Sequence, residues 1–153
     1  MTIEVTNLKS QIAVAVKKEN ATMAEISMLA TGGLQKVFDF IAQQGAEIVG
    51  APYLAYSNGN VDFTQFDIEL GIPINAEIAI NGEFFMSKTC EGKAITATHK
   101  GPYQDIEIVY TALMGYLAEN KLESTGVYYD YYINNPADTP ESELLTQVVF
   151  PIK

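Results

Sequence analysis

A chain of 153 residues with 48% hydrophobic side chains can bury one sizeable core and is too short for two ordinary domains. Its formal charge is −10 and all nine of its basic residues are lysines, a balance that argues against the phosphate neutralisation and bidentate arginine contacts of nucleic-acid binding. Cys90 is the single cysteine, which excludes an intrachain disulfide, and no apolar run approaches the roughly 18 residues of a membrane span. With no charged-then-apolar leader at the N-terminus, the expectation is a cytoplasmic protein.

Near the start, "IEVTNLKSQIAVAVKKE" alternates Ile12, Val14 and Val16 with Ala13 and Ala15, as a strand does with one face buried. Thr22 and Glu25 have capping-box spacing, so a helical region opens there. Gly32 and Gly33 are expected to break or kink it. Beyond them Leu34, Val37, Phe38 and Ile41 fall at i, i+3, i+4 and i+7, the stripe of an amphipathic helix, with Gly45 as its stop. "GAPYLAYS" and "TQFDIELGIPI" read as strands on either side of "SNGNVD", where Asn58-Gly59 is a hairpin signal. The first half therefore reads β-α-β-β.

The second half repeats that order. "EFFMSKTCEGKAITATHKG" reads as two strands broken at Glu91-Gly92, and Pro102 sits where a helix can begin. Tyr110, Leu113, Met114 and Leu117 each lie 76 residues after the first stripe (34+76=110, 37+76=113, 38+76=114, 41+76=117). The same offset carries Gly50 to Gly126 and Tyr56 to Tyr132, and an offset of 78 pairs Glu69 with Gln147 and Pro73 with Pro151. The expected fold is α+β, a tandem duplication of β-α-β-β units over about residues 1–76 and 77–153. The halves would be related by a pseudo-two-fold axis around a central cleft, where small ligands usually bind.

Within "VYYDYYINNP", residues 127–136, strand alternation puts Tyr128, Asp130 and Tyr132 on one face and Tyr129, Tyr131 and Ile133 on the other. An acid between rings suits a flat or cationic organic molecule. The alternative is a β-ribbon whose tyrosines simply cover a sheet. Glu69 and Gln147 interrupt the last strand of each half, and a polar group at Gln147 between Leu145 and Val149 needs a partner; Glu69 is equally well a solvated residue beside Asp67. His99 lacks any Cys or His at a useful ligand spacing, so no metal is expected, and Cys90 reads as an inert half-buried thiol.

The run "HKGPYQDIEIVYTALMGYLAEN" together with "YYDYYINNPADTPESELLTQVVFPIK" resembles the GyrI-like effector-binding domain of bacterial regulators of the AraC and MerR types, and the resemblance covers essentially the whole chain. It implies a cleft for bulky, lipophilic, often cationic compounds, built from aromatic rings and one or two central glutamates. Where such domains have Glu-x-Tyr, this chain has Asp130, Tyr131 and Tyr132, so the carboxylate is one methylene shorter. Where they have Thr-Glu-Ile, it has Thr146, Gln147 and Val148, so a neutral amide replaces a charge.

The first strand is expected within a few residues of Met1, which implies a stand-alone member whose DNA-reading partner, if any, is a separate protein. The leading expectation is a protein that senses or sequesters a bulky hydrophobic or cationic compound without a cofactor, using Tyr56, Tyr110, Tyr128 and Tyr132 as rings and Glu69, Asp130 and Gln147 as polar contacts. The resemblance leaves two alternatives. One is a hydrolase of cyclopropane-bearing genotoxins, for which Asp130 with Tyr132, or Glu69, would supply acid and base. The other is a module that binds a protein partner such as gyrase. A related duplicated fold binds heme, and His99 is the one imidazole that such a role would have.

Overall fold

The computed structural model describes residues 2–59, 64–135 and 138–153. The alternating N-terminal segment divides into two strands, β1 (Glu4–Leu8) and β2 (Ile12–Thr22), which take different neighbours. β1 pairs with β6 (Gly92–Lys100), whereas β2 pairs with β4 (Gln65–Pro73) and with β5 (Phe85–Lys88). The break is held by the Gln11 amide donating to Thr89 Oγ1 at 2.8 Å and by the Ser10 hydroxyl donating to Glu91 at 2.8 Å. β3 (Tyr53–Ser57), β7 (Tyr128–Tyr132) and β8 (Leu145–Pro151) complete one eight-stranded antiparallel sheet, ordered β1-β6-β8-β7-β3-β4-β2-β5. The hairpin expected at Asn58-Gly59 joins β3 to β4 through a longer connection, of which residues 60–63 lie outside the described residues.

The capping box is formed. Thr22 accepts from the Glu25 amide while the Glu25 carboxylate accepts from the Thr22 amide, and α1 (Met23–Met28) starts there. The expected kink is a π-helical turn, Leu29–Gly33, which leads into α2 (Leu34–Gln44). A β-carbon on Gly33 would meet Leu29 Cδ1 at 2.8 Å and Leu70 Cδ2 at 3.2 Å, so glycine lets the turn press onto β4. α2 ends at Gly45 in the left-handed conformation, φ 73°. It buries Val37, Phe40 and Ile41; Phe40, outside the expected stripe, goes deeper than Phe38 because it stacks on Phe84 at 4.1 Å. A 3₁₀ turn, Tyr103–Asp105, follows Pro102 and leads into α3 (Glu107–Glu119), which buries Val109, Leu113 and Leu117.

Both helical regions pack on the same sheet face. One core joins Val37, Phe40 and Ile41 to Leu54, Ile68, Leu70 and Ile72, and the other joins Val109, Leu113 and Leu117 to Ile95, Val148 and Phe150. The opposite face carries a smaller cluster of Ala13, Tyr53 and Ala55 packed by Tyr129 and Tyr131. The helical regions lie between β2 and β3 and between β6 and β7, so two strands precede each of them and two follow, where the expected β-α-β-β unit has one preceding strand. Among the described residues no helix is long and apolar enough to cross a membrane.

Candidate functional site

β7 and β3 form the middle of the sheet, and their register sets what lies between the helical regions. Leu54 pairs with Asp130 and Tyr56 with Tyr128, so Tyr56, Tyr128 and Asp130 share the helix-side face. Above them, Ile106 just before α3 and Glu107, Tyr110, Thr111 and Met114 within it are spaced along one face. Met23 at the start of α1 and Phe66 on β4 close the far side. The result is a cavity of about 450 Å³, within the range of sites for small organic molecules, with Met23 (57% exposed) and Met114 (42%) at its mouth. Thioether side chains adapt to differently shaped apolar guests.

The polar centre of this cavity is Asp130, only 4% exposed. The Tyr110 hydroxyl donates to Asp130 Oδ1 at 2.5 Å, a charge-assisted geometry. Burial pushes the carboxyl up to about 6, against the opposing pull of the Tyr110 and Tyr56 hydroxyls and of His99. Burial also holds the Tyr56 and Tyr110 phenols well above their ordinary range, with the Asp130 charge as the next cause. Both phenols thus stay neutral donors. Tyr110 packs edge-on against Phe150, with 5.4 Å between centroids, and Tyr128 tilts against the same ring at 4.7 Å, so the cavity wall is also core. Such a pocket offers ring faces and one desolvated acid, the combination that attracts a bulky cation.

The remaining sequence-derived candidates lie elsewhere. Tyr132 is beside Asp130 on the same face but behind the cavity wall, its ring 5.5 Å from Tyr103 in an edge-on contact. Its phenol is raised by burial first and by the Asp130 charge second. Glu69 pairs with Ala55 and Gln147 with Tyr131, which puts both on the sheet face away from the helices. β7 and β3 separate them. Glu69 accepts from Tyr53 at 2.6 Å and from Ser87 at 2.7 Å, and Gln147 lines a separate polar hollow with Thr96 and Thr98. His99 is buried, with Nε2 2.8 Å from the Pro102 carbonyl. Pro136, at the end of the tyrosine-rich stretch, lies outside the described residues. Among the described residues no group of three or more His, Cys, Asp or Glu side chains is placed to hold a metal ion.

The family model of the GyrI-like small molecule binding domain matches residues 1–153. The chain belongs to the GyrI-like family. Among solved structures, the EcmrR C-terminal domain superposes on this GyrI-like chain with a TM-score of 0.86 at 17% identity, covering 99% of this chain and 97% of that one. EcmrR in its DNA complex superposes with a TM-score of 0.85 at 19% identity, and there 99% of this chain matches 57% of the other, so the chain spans a little over half of that relative's length. A hydrolase encoded by lin2189 from Listeria innocua gives 0.69 at 10% identity, covering 99% and 91% of the two chains. SAV2435 bound to tetraphenylphosphonium gives 0.63 at 13% identity, covering 100% and 94%. At these identities the likeness is one of fold. No curated protein is significantly similar to the chain.

Reading the GyrI-like sequence alone overlooked Met23, Phe66, Ile106, Glu107, Thr111 and Met114 as cavity residues. For the α3 members a signal existed, since positions 106, 107, 110, 111 and 114 lie on one side of a helix that carries Tyr110. Nothing local marks Met23 or Phe66, which arrive from distant elements.

Proposed function

We propose that this GyrI-like protein binds bulky lipophilic cations in the cavity between α1 and α3, and so senses or sequesters them. Asp130 supplies the charge, and Tyr56, Tyr110 and Tyr128 supply the rings. The observation that carries the reading is a carboxyl group 4% exposed, held by a phenol at 2.5 Å, at a mainly apolar and aromatic cavity of about 450 Å³ whose other acid, Glu107, is exposed. An ionised acid in that setting is costly unless a cation joins it. A structural relative bound to tetraphenylphosphonium, and another that carries this fold within a longer chain bound to DNA, lend support to ligand sensing.

A duplication gives that cavity its place in the fold. We read residues of about 1–76 and 77–153 as two repeats of one effector-binding domain, each a β-α-β-β unit with one further strand before it. Leu54 and Asp130, 76 residues apart (130−54=76), lie directly opposite one another where β3 meets β7, as an axis through the sheet centre requires. The cavity then sits close to that axis, with Asp130 as its buried acid where the other half has leucine, and the exposed Glu107 at its edge.

The test is unfolding of the protein with tetraphenylphosphonium, with an uncharged tetraphenyl analogue and with tetraphenylborate. A ligand at 100 times its dissociation constant adds about 2.7 kcal/mol. Stabilisation by the cation alone, abolished in Asp130→Asn, is the expected result. Equal stabilisation by the neutral analogue would overturn the charge assignment. A second reading has the buried Asp130 and Tyr110 act as base and acid on a strained electrophile, as in a hydrolase. Turnover of a cyclopropane-bearing alkylator, lost in Asp130→Asn, would establish it.

A further inference from the structure

We propose that the sheet face opposite the helices carries a second site, which binds a small zwitterion of the α-amino-acid type. Its anchor is Glu69. Two donors fix the same oxygen, the Tyr53 hydroxyl at 2.6 Å and the Ser87 hydroxyl at 2.7 Å to Oε2, which leaves Oε1 without a hydrogen bond among the described residues. Tyr53 is fully buried, and its phenol lies so close over Gly71 that a β-carbon there would come within 2.5 Å of the hydroxyl oxygen. The carboxylate is therefore held in one orientation by a phenol that cannot swing away, as a preorganised acceptor should be.

Two cations border it. Lys17 is directly across from Glu69 in the β2–β4 register, yet among the described residues it makes no ion pair; its Nζ sits 5.8 Å from the centroid of the Phe85 ring. Lys88 likewise has no carboxylate within reach among the described residues. Of the other charges on the hollow, Glu19 is exposed and makes no ion pair among the described residues, while two are engaged. Lys18 pairs with Glu25 at 3.0 Å, and Asp67 accepts from the Asn20 amide at 2.9 Å and from Asn58 at 2.8 Å. Glu69, Lys17 and Lys88 border one hollow of about 290 Å³, with Ala55 and Tyr129 as its apolar wall.

Charge decides the class of occupant. A simple cation would meet Lys17 and Lys88 and a simple anion would meet Glu69 and Glu19, so either is repelled by part of the wall. A molecule with an ammonium and a carboxylate on one carbon satisfies both, placing its ammonium at Glu69 Oε1, its carboxylate toward Lys17 and Lys88, and its side chain against Tyr129. The hollow is about the size of a small-molecule site and opens on the face away from the Asp130 cavity.

The experiment is calorimetric titration of the full chain with L-leucine and L-phenylalanine, and with leucinamide and N-acetyl-leucine as single-charge controls. Binding of at least one amino acid is expected, with both controls weaker by about tenfold or more. Lys88→Met and Glu69→Gln should each weaken binding to a similar degree, and since Glu69 also holds Tyr53, the exposed Lys88 variant serves if Glu69→Gln does not fold. Saturating tetraphenylphosphonium should leave the amino-acid affinity unchanged. No heat from either amino acid at about 10 mM, equal binding of either control, or wild-type affinity in Lys88→Met would overturn the proposal. Displacement by tetraphenylphosphonium would overturn the separation of the two sites. A protein that ignores tetraphenylphosphonium but binds leucine would refute only the cavity reading.

Discussion

Replacing Asp130 by asparagine should make the empty protein more stable at neutral pH while removing its response to cations. The carboxyl is 4% exposed, and burial lifts it from 3.8 to about 6 even with two tyrosine hydroxyls and His99 opposing. An upward shift of about two units corresponds to ~3 kcal/mol. Because the folded state holds this proton more tightly than the unfolded chain, the cost of ionisation is absent below about pH 4, builds between about pH 4 and 6, and is complete above that, so this group's contribution to stability falls as pH rises. Asparagine keeps an acceptor for Tyr110 and has no charge to bury. The variant should match the wild type near pH 4 and exceed it by up to ~3 kcal/mol at pH 8. Urea unfolding at several pH values measures this, as midpoints that converge in acid and separate in base. Tetraphenylphosphonium should raise the wild-type midpoint more at pH 8 than at pH 5 and leave the variant unmoved. A variant less stable than wild type at pH 8, or a difference that does not change with pH, would refute the reasoning.

Three further substitutions probe the same sheet. Tyr110→Phe removes the donor at 2.5 Å from Asp130 Oδ1, so the carboxyl should titrate at still higher pH, read from the Asp130 side-chain carbon by NMR; an unchanged midpoint would mean that the bond contributes nothing. Thr146→Val should raise stability by about 1 kcal/mol in urea unfolding, because the Thr146 hydroxyl is fully buried with no hydrogen-bond partner among the described residues; a loss of stability would show that the hydroxyl has one. Gly71→Ala should cost about 1–3 kcal/mol, since the new methyl would fall 2.5 Å from the Tyr53 oxygen and Tyr53 has no space to retreat; a neutral effect would contradict that packing.

Much of the fold was readable because the signals were local. Thr22 and Glu25 mark a capping box, Gly45 a left-handed stop, and Gly92, at φ 98°, the turn between β5 and β6. Strand alternation in "YYDYY" correctly put Tyr128, Asp130 and Tyr132 on one face. What local pattern could not supply was which faces meet. Glu69 and Gln147 each sit in a strand whose alternation was clear, but the face they share with Asp130, or do not, depends on the register between strands. Ala55 pairs with both Glu69 and Tyr129, and that pairing, set by contacts across the sheet, takes Glu69 away from Asp130. The division of the N-terminal segment into β1 and β2 was hidden for the same reason, because β1 pairs with a strand more than 80 residues later in the chain (Glu4 with Thr96, 96−4=92).

The same register explains why one short strand can carry two chemistries. Of its five residues, Tyr128, Asp130 and Tyr132 turn toward the helices, and Tyr129 and Tyr131 toward the open face, where they flank Tyr53 at centroid distances of 6.0 and 5.8 Å. On the helix side the strand's one acid, Asp130, is almost fully buried and costs the folded chain about 3 kcal/mol when ionised, an expense that a neutral residue at position 130 would avoid. On the open side Glu69 stays in contact with solvent and is oriented by hydroxyls rather than buried among rings. A carboxylate that works against folding is useful chiefly to a guest that neutralises it, whereas one that is merely aimed suits a guest that brings charges of both signs. That difference in electrostatic setting, more than the count of tyrosines, is the physical basis for assigning a lipophilic cation to one face and a zwitterion to the other.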